Sequence, residues 1–299
     1  MSDQRTDPAE IRAVFDRVVG EVRPKLHRYC ARMTGSAIDG EDVVQDALVK
    51  ALEAAPQLQL IAQIEGWLFR IAHNAALDFL RRRGRRDSTF VSEELEMVAD
   101  PVAVVDERQA AAASLRTFMR LPVAQRSAVI LKDVLGYSLE ETGGVLEASL
   151  PAVKAALHRG RERLRELSRE PDDVPAPVLP AAERARLDLY VARFNARDFD
   201  AIRAMLADDV RLDLVARSQL KGRVEVGRYF HNYDRVRDWQ MVPGIVDGRA
   251  AILVVDPEDS QGRPFYFVVL EWTDGKLGLI RDFRYARYAL DGAELRRLA

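Results

Sequence analysis

The chain has 299 residues, 48% of them apolar and 31% charged, with 45 lysines and arginines set against 47 acidic residues for a formal net charge of −2. That is enough apolar material for packed cores in two or three domains, and it excludes a disordered chain and a uniformly basic nucleic-acid binder. A lone Cys30 excludes an internal disulfide, and with His27, His73, His158 and His231 scattered along the sequence no metal site is expected.

No apolar run reaches the ~18 residues that a membrane span needs, and MSDQRTDPAE lacks the basic-then-apolar layout of a secretory signal. The expected location is the cytoplasm, with no membrane contact. In chain order, Asp7 is placed to cap a helix that opens with Pro8 and carries Glu10 in its first turn. A second helical stretch is expected after Pro24, stopping near Thr34-Gly35, and Asp39 with Asp42 resembles a third start. Val43, Val44, Ala47, Leu48, Ala51 and Leu52 then recur at helical spacing as a core stripe, opposite Asp42, Gln45, Asp46 and Lys50.

After the turn around Pro56, IEGWLFRIAHNAALDFLRRRGRR reads as a further helix. Trp67, Leu68, Ile71, Ala75 and Leu80 can pack inward, Trp67 being read as core rather than as a stacking platform. Arg70, Asn74, Asp78 and Arg81 follow another face at three- and four-residue steps. Within 70–86 the cations Arg70, Arg81, Arg82, Arg83, Arg85 and Arg86 meet only Asp78, whereas 87–107 is acidic; Gly84 and that stretch mark a linker.

From Asp106 to Leu167 the pattern is helical again. Pro122 opens one helix and Gly136 ends it, Ser138 with Glu141 forms a capping box, and Ser149 caps a longer basic helix that tolerates Pro151 in its first turn. A short helix, a tight turn and a longer basic helix make a helix-turn-helix. Two basic blocks, 70–86 and 149–169, joined by an acidic strap suggest two contacts with one polyanion. Pro171, Pro175, Pro177 and Pro180 then impose an extended spacer. Beyond it, ERARLDLYVARFNARDFDAIRAML reads as helices and VRLDLV as a half-buried strand; Asp247-Gly248 and Asp274-Gly275 sit between apolar runs as hairpin turns. The last part is therefore expected to be α+β with an antiparallel sheet.

DGEDVVQDALVKAL with the Trp67 helix resembles conserved region 2 of extracytoplasmic-function (ECF) sigma factors, and LPVAQRSAVILKDVLGYSLEETGGVLEASLPAVKAALHRGRERLRE resembles their region 4. The resemblance covers about 11–168. It implies a multidomain chain: an all-α region 2 bundle over 8–86, a linker over 87–107, a region 4 helix-turn-helix over 108–168, and a proline-bearing spacer over 169–182. It implies core RNA polymerase and promoter DNA as partners, with no cofactor and no enzymatic activity. By the same resemblance Asp42, Gln45 and Asp46 become polymerase contacts. Asn74, Asp78, Arg81 and Arg82, with the loop at 56–65, become −10 contacts, while Ser149, Lys154 and Arg159 become −35 contacts. The 87–107 linker resembles segments that thread through the polymerase's RNA channel. The sequence departs from the family at Glu147, where many relatives have a turn glycine, and at Ala155 and Ala156, which replace frequent polar residues, so promoter preference does not transfer.

YVARFNARDFDAIRAMLADDVRLDLV, KGRVEVGRYF and the two hairpins resemble SnoaL-like domains, implying an α+β cone over about 183–291. Some relatives with that fold use a buried carboxylate as a base, which makes Asp209, Asp213 and Asp238 candidates. No nucleophile, metal cluster or phosphate-binding loop accompanies them. An ordinary helix-turn-helix regulator and an enzyme with a DNA-binding appendage are the competing readings. Attached to a sigma factor, the domain is expected to regulate, by contact with the sigma core or by sensing a ligand.

Overall fold

A computed structural model describes residues 8–54, 64–87, 110, 112–170, 177–233 and 239–298, with side chains from Arg17 onward and those of 85–87 excepted. Residues 56–63 of the loop expected at 56–65, nearly all of the acidic 87–107 segment, Asp238 and most of the spacer lie outside the described residues. The chain divides into two units, Met1–Asp172 and Asp173–Ala299.

In the first unit, α1 (Pro8–Thr34) is one unbroken helix where two were expected. Pro24 deprives the Gly20 carbonyl of its helical donor. Both residues are exposed and the space above Gly20 is open, so water can take that carbonyl and the helix continues. Helix α2 (Ala37–Ala54) starts at Ser36, not at Asp39: the Ser36 hydroxyl accepts from the N–H of Ile38 at 3.2 Å and of Asp39 at 3.3 Å. Gly40 lets α2 cross close to α1, since a Cβ there would fall 2.6 Å from the Ala31 backbone. Val43, Val44, Ala47 and Ala51 are buried as expected, but Leu52 is 37% exposed. It lies ~100° round the helix from Ala51, on the flank of the stripe.

Helix α3 (Ile64–Asp87) buries Leu68, Phe69, Ala72, Ala75, Ala76 and Leu80, with Trp67 and Ile71 partly buried against the same core. It runs through Gly84 to Asp87, in keeping with the helix read over IEGWLFRIAHNAALDFLRRRGRR; one interior glycine costs only ~1 kcal/mol and leaves every hydrogen bond possible. The α1–α3 seam carries a buried 2.7 Å hydrogen bond between the Tyr29 hydroxyl and His73 Nδ1. Burial, reinforced by Arg81, lowers His73 to about 4, so its ring is neutral at physiological pH.

The second helical block shares that core. Helix α4 (Leu115–Met119), capped by Ser114, leads to α5 (Val123–Val129), which widens into a π-helical turn over Ile130–Val134 before Gly136 turns the chain at φ 79°. Helix α6 (Leu139–Leu146) opens with the Ser138/Glu141 capping box, both bonds present. Ser149 caps α7 (Leu150–Leu167) through the Ala152 N–H. Arg126 of α5 is buried and donates to the carbonyls of Met33 at 2.7 Å, Leu121 at 2.9 Å and Met119 at 3.2 Å, tying the ends of α1 and α4 together. Tyr137 donates to Glu65 at 2.9 Å and its ring meets Phe69 edge-on at 5.1 Å, fastening the block to α3.

The second unit has α8 (Ala181–Asn195) and α9 (Phe199–Met205) followed by a seven-stranded sheet: β1 (Leu206–Leu214), β2 (Ser218–Lys221), β3 (Gln240–Val246), β4 (Arg249–Val255), β5 (Pro264–Thr273), β6 (Lys276–Asp282) and β7 (Leu295–Arg297). A short α10 (Arg223–Tyr229) and a 3-10 turn, Phe230–Tyr233, lie between β2 and β3. The strand order is β2-β1-β6-β5-β4-β3-β7. Both expected hairpins form, and Asp247, Gly248, Asp274 and Gly275 all have left-handed φ, the geometry that favours Asp-Gly turns. The sheet is mixed rather than antiparallel, because β1 pairs with β6 in parallel. Alternating burial marks VRLDLV as a strand but carries no information on its neighbour's direction. β7 extends the sheet past 291 by pairing with β3. Phe194 of α8 anchors the core, with ring contacts to Tyr190, Phe199, Phe230, Tyr233 and Trp239.

Glu147, in the turn of the helix-turn-helix, is held at φ 53° and ψ 39°. A non-glycine residue there costs roughly 1 kcal/mol. Glu147→Gly should stabilise the first unit by about that amount, read as a higher denaturant midpoint at unchanged m. Glu147→Ala, which keeps the Cβ but removes the carboxylate, should give no gain; equal midpoints for the two variants would show that the turn is unstrained.

Candidate nucleic-acid interface

Ion pairs across helices α2 and α3 take in Asp46 of the expected polymerase contacts and Asp78, Arg81 and Arg82 of the expected −10 contacts. Asp46, exposed on α2, lies 3.5 Å from Arg82 of α3, and Lys50 lies 3.5 Å from Asp78, which also takes Arg81 at 2.8 Å. Asn74 is exposed on the same side of α3, whereas Asp42 and Gln45 are partly buried where α2 turns toward its neighbours. Arg70 heads the α3 stripe 3.7 Å from Glu147. Exposed pairs of this kind contribute ~0–1 kcal/mol each, so an incoming partner can exchange them at little cost.

Lys50, opposite the core stripe of α2 and not among the expected contacts, lies inside the network. Its four-residue step from Asp46 was visible in the sequence; the cross-helix approach to Asp78 was not. Deeper, Arg23 pairs with the fully buried Glu41 carboxylate, and Arg83 lies 3.5 Å from Asp39. These contacts fix the α1–α2–α3 geometry and stand behind the exposed stripe.

On α7, Val153, Ala156, Leu157, Gly160, Leu164 and Leu167 face the core. Leu150, Pro151, Lys154 and Glu162 are exposed, with Ala155, His158 and Arg159 partly so. Ser149, Lys154 and Arg159 therefore all belong to the first ten residues of the helix, where cap N–H groups and cations can meet phosphate. His158 extends the outward line one turn beyond Lys154 and sits 3.5 Å from Glu162. The i, i+4 spacing of Lys154 and His158 was the signal that could have singled it out. Arg161 points instead to Asp133.

In the second unit Asp209 is exposed and Asp213 lies 3.6 Å from Arg281. The buried carboxylate is one that sequence reasoning missed, Asp282, at the end of β6. It accepts from the Tyr233 hydroxyl at 3.1 Å and from the Arg284 N–H at 2.8 Å. Burial raises its carboxyl to about 6, against the lowering effect of those two hydrogen bonds and of the Arg284 charge. An Asp closing the apolar strand KLGLIRD was the available signal. Among the described residues no cluster of three or more His, Cys, Asp or Glu side chains could hold a metal ion, and no helix is long and apolar enough to cross a membrane.

A helix-turn-helix with a basic second helix, packed on a second helical block with a cationic stripe, is the architecture of a DNA-binding protein. Sequence profiles agree: residues 18–86 match Sigma-70 region 2 and 115–164 match Sigma-70, region 4. The ECF RNA polymerase sigma factor SigM of Mycobacterium tuberculosis is 36% identical over 156 residues, covering 52% of this chain and 78% of that relative. The chain belongs to the ECF RNA polymerase sigma factor family. Among solved structures, the ECF sigma factor SigJ of Mycobacterium tuberculosis is 20% identical with a TM-score of 0.36, over 89% of this chain and 95% of that one. The second unit resembles a SnoaL-like protein from Burkholderia thailandensis, 18% identical with a TM-score of 0.28, over 35% of this chain and 97% of that one.

The pKa of Asp282 sets a pH dependence for the second unit. The folded state binds this proton more tightly than the unfolded chain, whose carboxyl titrates near 3.8. The contribution of this group is therefore fully present below that value and is lost as pH rises to about 6, by about 2–3 kcal/mol in all. Asp282→Asn should flatten this slope between pH 4 and 6, read as hydrogen-exchange protection of β5 and β6 corrected for intrinsic rates. An unchanged slope would place the carboxyl in its ordinary range.

Proposed function

We propose that the chain initiates transcription as a sigma factor through two separate DNA contacts, the exposed α3 stripe at the −10 element and the outward face of α7 at the −35 element. Family membership supports the general role: it binds core RNA polymerase and directs it to promoters by binding alone, with no bond made or broken. The observation that carries the residue assignment is the α2–α3 charge network. Asp46 presents a carboxylate from α2, with Asp42 and Gln45 on its flank, for the polymerase. Asn74, Asp78, Arg81 and Arg82 present an amide, a carboxylate and two cations from α3 for the DNA. On melted promoter DNA, cations on phosphates and polar contacts to unpaired bases offset the cost of unpairing. On α7, Ser149, Lys154 and Arg159 supply phosphate contacts that hold the helix in the major groove.

A complex of this kind forms in the cytoplasm, where polymerase and promoters are. Replacing Asp42, Gln45 and Asp46 together, with Asp46→Arg as the central change, should lower affinity for core polymerase at least tenfold while leaving the helical signal intact. In the same assay, Asn74→Ala with Arg81→Ala should leave core binding alone and reduce permanganate reactivity of promoter thymines. Wild-type core affinity in the folded triple variant rules out the α2 surface.

The second unit we infer to be regulatory, not catalytic. A proline-bearing spacer keeps it at high effective concentration beside the sigma unit. Among the described residues of this unit the buried carboxylate is Asp282, and it is already engaged by Tyr233 and Arg284 rather than presented to a substrate. Ending the chain after Glu170 should change promoter activity at least severalfold in reconstituted transcription; activity equal to the full chain, with and without cell extract, would remove the regulatory reading.

A further inference from the structure

The widened turn at the end of α5 has a consequence for how α7 reads DNA. Asp133, in the π-helical segment, has a carboxylate with no solvent exposure, and Arg161 of α7 grips it with one edge of its guanidinium, Nε to Oδ2 at 2.9 Å and Nη2 to Oδ1 at 2.5 Å. One residue earlier, Gly160 brings the α7 backbone against α5: a Cβ there would lie 2.7 Å from Val129 Cγ2 and 3.2 Å from the Gln125 carbonyl. That contact fixes how far apart the two helices lie, and the buried stripe from Val153 to Leu167 sets roughly which face of α7 turns inward, but apolar packing tolerates a small roll about the axis. A planar two-bond fork resists the roll.

Lys154, His158 and Arg161 follow one line along α7, at steps of four and three residues. Holding Arg161 therefore holds the azimuth of Lys154 and His158, which point outward. With side chains extending about 5–6 Å from the helix axis, a 20° roll displaces their tips by about 2 Å. Base-edge contacts tolerate about 0.5 Å. Contacts to phosphate by flexible cations adapt to a shift of that size, whereas bidentate or apolar contacts to a base edge do not.

We infer that Arg161 and Asp133 are positioning residues that set the roll of the recognition helix, so that sequence discrimination at the −35 element depends on an ion pair that does not itself touch DNA. The inference rests on the reading of α7 as the DNA-contacting helix and names what keeps that helix in register. Arg161 shares the line of Lys154, so its charge would be available to phosphate were it not committed to Asp133.

The test uses the full chain assembled with core polymerase, on genomic promoter fragments enriched by the wild-type holoenzyme, each paired with the same fragment scrambled at its footprinted −35 element. The double variant Asp133→Leu/Arg161→Met removes both charges while keeping apolar bulk, the kind of replacement that buried pairs often tolerate. It should lower the ratio of affinities for intact over scrambled fragments at least fivefold, and leave the salt dependence of binding unchanged. Lys154→Ala should do the reverse, lowering the slope by about one and keeping the ratio. If the double variant does not fold by circular dichroism, Arg161→Lys, which keeps the charge and loses the fork, is read the same way. A retained ratio in the folded variant overturns the inference and leaves the pair a purely structural contact. A slope lowered by about one overturns it too, by making Arg161 a phosphate contact. If Lys154→Ala and Arg159→Ala together leave DNA binding untouched, it is the reading of α7 as the DNA helix that fails.

Discussion

A buried guanidinium that donates to three backbone carbonyls and the Met119 sulfur holds the sigma unit in one piece. Arg126 reaches the last turn of α1 at Met33, the end of α4 at Met119, and Leu121 at the start of the following turn. Each of these carbonyls lies at or near a helix end, where the regular ladder leaves acceptors unused and the helix dipole favours a cation. Burial lowers Arg126 to about 10, which still leaves it charged at neutral pH. Of its guanidinium nitrogens, Nε is the one without a hydrogen bond among the described residues. Charge-assisted bonds to such acceptors contribute on the order of 1.5–3 kcal/mol each. Both helical blocks therefore share a single core in spite of the long acidic segment between them.

Around that fixed centre the polar surface is built from weak, exchangeable pairs. Asp46 with Arg82, Lys50 with Asp78 and Arg70 with Glu147 are all exposed on both sides. The strong pairs, Arg23 with Glu41 and Arg161 with Asp133, bury the carboxylate completely. Strength is thus graded by depth. Buried pairs fix where the helices lie, and surface pairs give way when a phosphate or a carboxylate of a partner arrives.

The sequence carried local signals faithfully and tertiary ones poorly. The Ser138/Glu141 box, the Ser149 cap and the two Asp-Gly turns are decided by residues within four positions of one another, and each forms as read. Pro24 was misread because its effect depends on whether Gly20 faces water, a matter of packing. Lys50, Arg161 and Asp282 escaped notice for the same reason. Their partners Asp78, Asp133 and Tyr233 are 28 or more residues away in the sequence, and nothing in the local pattern distinguishes a paired Arg161 from a free one. The direction of β1 relative to β6 belongs to this class as well.

That parallel pairing imposes an order of events on the growing chain. The sigma unit closes through contacts completed by Leu167, so it can fold while the rest is still being made. β1 has no such freedom: its pairing with β2 is immediate, but its other edge waits for β6, about 70 residues later. Until Lys276–Asp282 has left the ribosome, the strand Leu206–Leu214 offers an open, half-apolar edge. Its tip carries Asp208 and Asp209 on adjacent exposed positions, and like charges there discourage two nascent chains from pairing with each other before the proper neighbour is synthesised.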